Sequence, residues 1–184
     1  MIIYNISYNN PHRHYIDFEL TTKVHTERKI QLQLSAWRPG RYELGNFSQN
    51  IQKLAVYDEN NNSLSFKKIT KDLWEINCSG AEEIIVRYNF YANQLDAGAC
   101  YLDENQLYLN PIHCMFYIVG RMEDEYKLNF DLPDNYVIAS SLTTNKHTLI
   151  VKGYDLLADS PIICSDSLQH DYYEVNGINF HLWF

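Results

Sequence analysis

Tyr15-Ile16-Asp17-Phe18-Glu19-Leu20 alternates apolar and polar side chains with a strict period of two. In an extended chain successive side chains point to opposite faces, so Ile16, Phe18 and Leu20 share one face while Tyr15, Asp17 and Glu19 share the other. The spacing predicts a strand with one buried side, within a segment running from His12 to Leu20. The pattern returns at Lys29 to Ser35, where Ile30, Leu32 and Leu34 alternate with Lys29, Gln31 and Gln33. It returns again at Glu125 to Leu132, where Tyr126, Leu128 and Phe130 alternate with Lys127, Asn129 and Asp131. Weaker or shorter strand segments are expected at Ile51 to Tyr57, Leu107 to Leu109 and His147 to Gly153. Leu73 to Cys78 and Glu83 to Tyr91 flank a turn at Gly80, and Asp58 to Ser63 is a polar turn leading into Leu64-Ser65-Phe66. The continuous apolar run Cys114 to Val119 reads as a buried strand. Asn176-Gly177, between Asp171 to Val175 and Ile178 to Phe184, has the chemistry of a type I′ hairpin turn. Only Tyr154 to Ala158 invites a turn of helix. Roughly ten strands with frequent turns predict an all-β fold, an antiparallel β-sandwich forming a single domain over residues 1–184.

Composition agrees. The chain has 184 residues with 15 Tyr, 8 Phe and 3 Trp, side chains that suit a pleated, half-buried surface. Its formal net charge of −8 has the sign that repels a phosphate backbone, which argues against nucleic-acid binding. Cys78, Cys100, Cys114 and Cys164 form no CxxC pair and read as small buried hydrophobes rather than a disulfide framework. No apolar run approaches the ~20 residues that span a bilayer. The segment beginning at Met1 lacks the charged and apolar regions of a secretory leader, so the sequence as written is expected to be cytoplasmic, or periplasmic if a leader has been removed. The strand-like ending His181-Leu182-Trp183-Phe184 suggests a chain cut within a longer protein.

Catalytic motifs are scarce. The zincin pattern HExxH, the nucleophile elbow GxSxG, the phosphate loop and GxGxxG do not occur. His12 and His14 are two apart and would share a strand face, but no third metal ligand is identifiable. His113 and Cys114 are adjacent and would point to opposite faces of a strand, and Cys114 sits in an apolar run that favours burial over nucleophilic reactivity. No catalytic and no metal-ligating residue is assigned. Two turns stand apart. Trp37-Arg38-Pro39-Gly40-Arg41-Tyr42 is either a tight turn pinned by Trp37 on the core or a rigid aromatic and cationic loop that docks on another surface. In Asp159-Ser160-Pro161, the first two side chains can bond nearby backbone and fix an extended exit from the turn.

In order and spacing these segments resemble the N-terminal domain of the glycyl aminopeptidases, metallopeptidase family sixty-one, zinc gluzincins that often carry a PDZ domain. The Trp-x-Pro-Gly-x-Tyr turn matches residues 37–42. A Trp-bearing strand matches Leu73-Trp74-Glu75-Ile76, and a second strand matches Val86-Arg87-Tyr88-Asn89-Phe90-Tyr91. A strand ending at proline matches Leu128 to Pro133, and Tyr-Asp-x-Leu-x-Asp-Ser-Pro matches Tyr154 to Pro161. The family often has a small residue where Arg41 stands. The resemblance implies a non-catalytic β-rich domain, similar to that of the alanyl aminopeptidases, with no cofactor of its own. Zinc and the glutamate base are then expected on a thermolysin-like catalytic domain of the same polypeptide. That catalytic domain would be this domain's partner. Trp37, Pro39, Gly40, Arg41, Tyr42, Asp159, Ser160 and Pro161 would form the docking or cleft-wall loops, and peptide substrate would be met indirectly. A different reading is a stand-alone β-sandwich module that binds carbohydrate or peptide through exposed aromatics. A third is a hydrolase built on Cys114 or on the His12 and His14 pair.

Overall fold

A computed structural model describes residues 1–41 and 43–184. The alternation at Tyr15 to Leu20 belongs to a nine-residue strand in which Ile16, Phe18, Leu20 and Thr22 are buried in turn. In chain order the strands are β1 (Ile2–Ser7), β2 (Tyr15–Lys23), β3 (Lys29–Gln33), β4 (Ile51–Asp58), β5 (Phe66–Lys68), β6 (Leu73–Asn77), β7 (Glu83–Tyr91), β8 (Tyr101–Leu102), β9 (Gln106–Leu109), β10 (Tyr117–Ile118) and β11 (Glu125–Phe130). They continue with β12 (Val137–Ser140), β13 (Thr144–Asn145), β14 (Thr148–Lys152), β15 (Ile162–Ser165), β16 (His170–Val175) and β17 (Ile178–Trp183). Two short helices, α1 (Pro111–Cys114) and α2 (Tyr154–Ala158), interrupt them.

The main sheet has seven strands in the order β13-β14-β11-β1-β2-β7-β4. Two four-stranded sheets, β10-β3-β6-β5 and β12-β15-β9-β8, share a single hydrophobic core with it. The architecture is all-β and almost wholly antiparallel. The exception is β1, which pairs antiparallel with β2 and parallel with β11 through Ile2 opposite Tyr126 and Ile6 opposite Phe130.

Several local expectations change in three dimensions. β6 and β7 flank the turn at Gly80, yet β6 pairs with β3 and β7 pairs with β2 and β4. The chain crosses from one sheet to another there, because Trp74 and Ile76 of β6 and Val86 and Tyr88 of β7 reach the core from different layers. The Asp58 turn is built as expected, with the Asp58 carboxylate accepting from the Asn60 and Asn62 amides at 2.9 and 2.8 Å. The return is brief, with Ser63 bridging Tyr57 and the Leu64 amide donating to the Val56 carbonyl at 2.9 Å, and the outgoing arm then pairs with β6. His12 lies in a 3-10 turn and His14 follows it at φ 56°, so neither is a strand residue and they share no strand face.

The run Cys114 to Val119 is the largest departure. It opens in helix at Cys114, passes through irregular backbone at Met115 and Phe116, and is strand only at Tyr117–Ile118. Cys114, Met115 and Phe116 are completely buried. Irregular backbone in a core has no ladder to satisfy its carbonyls, so they need other donors. Three tyrosines supply them. Tyr88 donates to the Cys114 carbonyl at 2.7 Å, Tyr154 to Met115 at 3.1 Å and Tyr4 to Phe116 at 2.9 Å. Burial pushes all three hydroxyls up from their ordinary range, which keeps them protonated as donors. The Phe116 ring completes the junction, edge-on to both Trp74 of β6 and Tyr88 of β7.

A Tyr4→Phe or Tyr88→Phe exchange removes one hydroxyl and strands one buried carbonyl. Each is expected to lower stability by about 1–3 kcal/mol, read as a shift in the urea midpoint at unchanged m-value.

Candidate functional site

The turn at residues 37–42 is closed by its backbone before any partner is considered. Pro39 and Gly40 occupy its two central positions, the Arg41 amide donates to the Arg38 carbonyl at 3.4 Å, and Gly40 takes the positive φ of 84° that a type II turn requires. Trp37 does not sit on the core. It is 48% exposed and its indole N–H donates to the Arg41 carbonyl at 2.6 Å. An indole that bonds forward by four residues braces the loop from outside. Pro39, Gly40 and Arg41 are exposed, and Tyr42 lies outside the described residues.

Arg38 turns inward. Its guanidinium lies so close to Gly98 that a Cβ there would overlap it, and it reaches toward the Ala97 carbonyl at 3.5 Å. The Ala97 carbonyl also accepts from Asn110 at 3.0 Å. Asp96 holds this strip in place by accepting the Gly98 amide at 2.6 Å and the Gln94 side-chain amide. Asn110 precedes α1, where Pro111 takes the first helical position it favours. α1 then carries His113 into the interior beside a 3-10 turn at Phe47–Asn50, and the Phe47 ring stacks on His113 at 3.9 Å. These pieces line a concavity of about 260 Å³ that includes Arg41, Asn46, Phe47, Gln49, Gln94 and His113. His113 is 6% exposed and its Nε2 has no hydrogen-bond partner among the described residues. Burial first, and then the positive fields of Arg38 and Arg41, push His113 down to about 4.

The second predicted turn plays a different part. The Ser160 hydroxyl donates to the Leu156 carbonyl at 2.7 Å and accepts from Ser141 at 2.9 Å, which ends α2 and directs Pro161 into β15. Asp159 and Pro161 are exposed and Ser160 is buried. No hydrogen bond or ion pair among the described residues joins residues 159–161 to the Trp37 loop. Ser35, two residues before Trp37, and Tyr154, at the start of α2, have their hydroxyls 3.1 Å apart.

Other candidates fall away. Cys114 is wholly buried, and burial together with the neighbouring Cys100 thiol pushes its own thiol up, the opposite of an activated nucleophile. All four cysteines are free and buried. A larger concavity of about 400 Å³ on the outer face of the main sheet includes Asn5, Asp17, Glu19, Arg87 and Asn89. Most of its polar groups satisfy one another: Asn5 and Arg87 both donate to Glu19, at 3.1 and 2.8 Å, and Asn89 donates to Asp17. Among the described residues no group of three His, Cys, Asp or Glu side chains is placed to hold a metal ion, so the donors present do not fit a zinc site. Among the described residues no helix is long and apolar enough to cross a membrane.

Adjacency to Cys114 in an apolar run directs attention away from His113, and the Asp96 turn carries no motif of its own. The signals present were Asn110-Pro111, a helix start, and Asp96-Ala97-Gly98, an Asx turn.

A buried neutral histidine makes stability depend on pH. Its ordinary value is 6.5 and its folded value about 4. The unfolded chain therefore binds a proton that the folded chain refuses as pH falls through that window, and stability is lost between about pH 6.5 and 4. Replacing His113 by Gln is expected to remove a component of up to about 3 kcal/mol from that loss. Urea midpoints of the two proteins at pH 7 and pH 4.5 give the difference; parallel pH profiles would contradict it.

Comparison with known proteins follows the architecture. The Peptidase M61 N-terminal domain model matches residues 3–166. Among solved structures, an aminopeptidase N family protein from Idiomarina loihiensis superposes with a TM-score of 0.89 at 26% sequence identity, covering 100% of this chain and 32% of that one. This chain thus spans about a third of the length of that relative. An M1 zinc metallopeptidase from Deinococcus radiodurans, solved as a mutant bound to a Tyr-Ser-Ala substrate, shares the fold with a TM-score of 0.51 at 11% identity over 99% of this chain and 46% of its own. A search among curated proteins returns no match. With the family model covering all but the first two residues and the C-terminal hairpin region, the chain belongs to the Peptidase M61 N-terminal domain family.

Proposed function

We propose that this chain is the non-catalytic N-terminal domain of a zinc-dependent glycyl aminopeptidase, and that it packs on the catalytic domain of the same polypeptide and helps shape the substrate cleft. The observation that carries this reading is the hairpin β16-β17. Every residue from Gln169 to Phe184 is exposed. The turn Asn176-Gly177, at φ 52° and 79°, has the type I′ geometry, and the register sets Tyr173 opposite Phe180 and Val175 opposite Ile178. One face is therefore Tyr173, Val175, Ile178, Phe180 and Leu182 with Asp171 at its far end, all exposed. The other is His170, Tyr172, Glu174, Asn179, His181 and Trp183. An isolated two-stranded hairpin is marginal in water, and an apolar face of this kind is a surface for a further layer. The family model stops at residue 166, just before it, and the Idiomarina relative contains the equivalent of the whole chain within one three times as long.

Under this reading zinc and its chemistry reside on the catalytic domain, and no step of the reaction is assigned to residues of this chain. The apolar face argues against the alternative of a stand-alone carbohydrate or peptide module, whose recognition surface would be an array of exposed aromatics without such a patch. The Trp37 turn, braced from outside and exposed at Pro39 and Arg41, has the rigidity that a cleft wall needs.

The test compares this chain with the longer polypeptide that contains it. The longer protein is expected to hydrolyse a glycyl anilide and the 184-residue chain is not. Ile178→Asp and Phe180→Asp together should leave the melting transition of the 184-residue chain within about 0.5 kcal/mol of wild type, because both residues are exposed in it. In the longer protein the same pair should expose the domain junction to limited proteolysis. Hydrolysis by the isolated chain with one tightly held zinc would overturn the reading, as would a longer protein indifferent to the hairpin changes.

A further inference from the structure

We propose that Cys100 and Cys114 are a disulfide-forming pair, joined when the chain folds under oxidising conditions and left as two thiols under reducing ones. The pair lies in the core of this domain and is independent of the packing role above. Its two sulfurs converge on one backbone group. The Cys100 and Cys114 thiols approach the Asn110 carbonyl at 3.7 and 3.5 Å, and the Asn110 amide donates back to Cys100 Sγ at 3.4 Å. The Cys114 thiol is also hydrogen-bonded to Cys100. The Asn110 carbonyl does not need either thiol. It already accepts from the His113 amide at 2.9 Å, so exchanging two S–H groups for an S–S bond orphans no acceptor. The other two cysteines have no such neighbour: the Cys78 thiol donates to the Ile76 carbonyl at 3.7 Å, and burial alone perturbs Cys164.

Backbone placement favours the link. Cys100 stands immediately before β8, Cys114 ends α1, and β8 and β9 lie between them. β9 is held from both sides, by β8 and by β15, and Asn110-Pro111 then starts the helix that returns the chain to Cys100. A bond between sulfurs that already touch would restrict the unfolded chain by closing this loop, which is how a disulfide chiefly stabilises. Burial decides when the bond is made. Cys100 is 3% exposed and Cys114 completely buried, and burial together with the Cys100 thiol pushes Cys114 up, so the finished core offers an oxidant no ready thiolate. The chemistry therefore belongs to the folding chain. One cysteine thiolate attacks a low-molecular-weight disulfide such as oxidised glutathione, forming a mixed disulfide and releasing one glutathione thiolate. The other cysteine thiolate attacks the protein sulfur of that mixed disulfide and releases the second. Two electrons pass from the cysteine pair to the glutathione disulfide, and the two cysteine protons end on the two glutathiones. The native core then selects the Cys100–Cys114 pairing, because these sulfurs meet in it, and closes over the bond.

The 184-residue chain is reduced and unfolded in urea, freed of reductant, and refolded by dilution into glutathione buffer that is either mostly oxidised or mostly reduced. Free thiols are blocked with N-ethylmaleimide, and the linkage is read by mass spectrometry of the digested protein. The expected product in the oxidised buffer is a monomer in which Cys100 is linked to Cys114 while Cys78 and Cys164 are blocked. In the reduced buffer all the cysteines are blocked. The linked form is expected to unfold at a urea midpoint about 1 M higher than the dithiol form. Cys100→Ala with Cys114→Ala should abolish both the link and the difference between buffers, whereas Cys78→Ala with Cys164→Ala should keep both. The peptide map of the unaltered chain decides the matter even where a core variant fails to fold. Complete blocking in the oxidised buffer, a major link to Cys78 or Cys164, or a linked form no more stable than the dithiol overturns the assignment.

Discussion

Three tyrosine hydroxyls hold three consecutive buried carbonyls, and much of the molecule is arranged around that fact. Cys114, Met115 and Phe116 bring irregular backbone into the centre of a β core, where a carbonyl without a partner is expensive. The donors come from β1, from β7 and from the start of α2, so the main sheet and the last helix are tied to one short segment. The same segment places the Phe116 ring against Trp74 of β6, which binds the second sheet into the junction. Immediately upstream, α1 carries His113 into the pocket beneath the Trp37 turn. The candidate site is therefore a by-product of the way the core is stapled: move residues 114–116 and His113 moves with them.

Sequence reading succeeded where one physical signal dominates. Period-two alternation located β2, β3 and β11, because one face of each lies on the core and the other on solvent. Asn176-Gly177 located the hairpin, because two successive positive φ values leave few choices of residue. The number of strands was underestimated, since pairs as short as β8, β10 and β13 have no periodicity to detect. The N-terminal strand shows why alternation can be passed over. Ile2, Tyr4 and Ile6 alternate, but the apolar Ile3 between them blurs the pattern, and nothing local says that its neighbour will be β11, more than 120 residues away and parallel. At Trp37 the residues alone leave two readings open, a turn pinned on the core or an exposed loop. A large aromatic next to Pro-Gly suggests burial, whereas the indole here spends its single donor on Arg41 and stays half in solvent. The pocket was the least legible part, because its lining is gathered from segments scattered between residues 41 and 113.

Surface chemistry divides the molecule. The outer face of the main sheet is internally matched. A hydrogen-bonded line runs from Thr148 through Asn129, Asn5 and Glu19 to Arg87, whose guanidinium lies over Tyr57. The hairpin is the reverse, with apolar area in excess of its internal partners.

The parallel pairing of β1 with β11 also constrains how the chain reaches this state. β1, β2, β7 and β4 can associate as soon as residue 91 is available, since each neighbouring pair among them is antiparallel. The far edge of β1 then stays open until residues 125–130 arrive to cover it. During synthesis that edge, with buried-type Ile2, Tyr4 and Ile6 along it, is a template for pairing with any other extended chain. Closure across so long a loop is slow relative to local hairpins. The N-terminal strand thus sits at the centre of the finished sheet with one edge covered early and the other only when β11 docks, which makes that interval a period of exposure to misassociation.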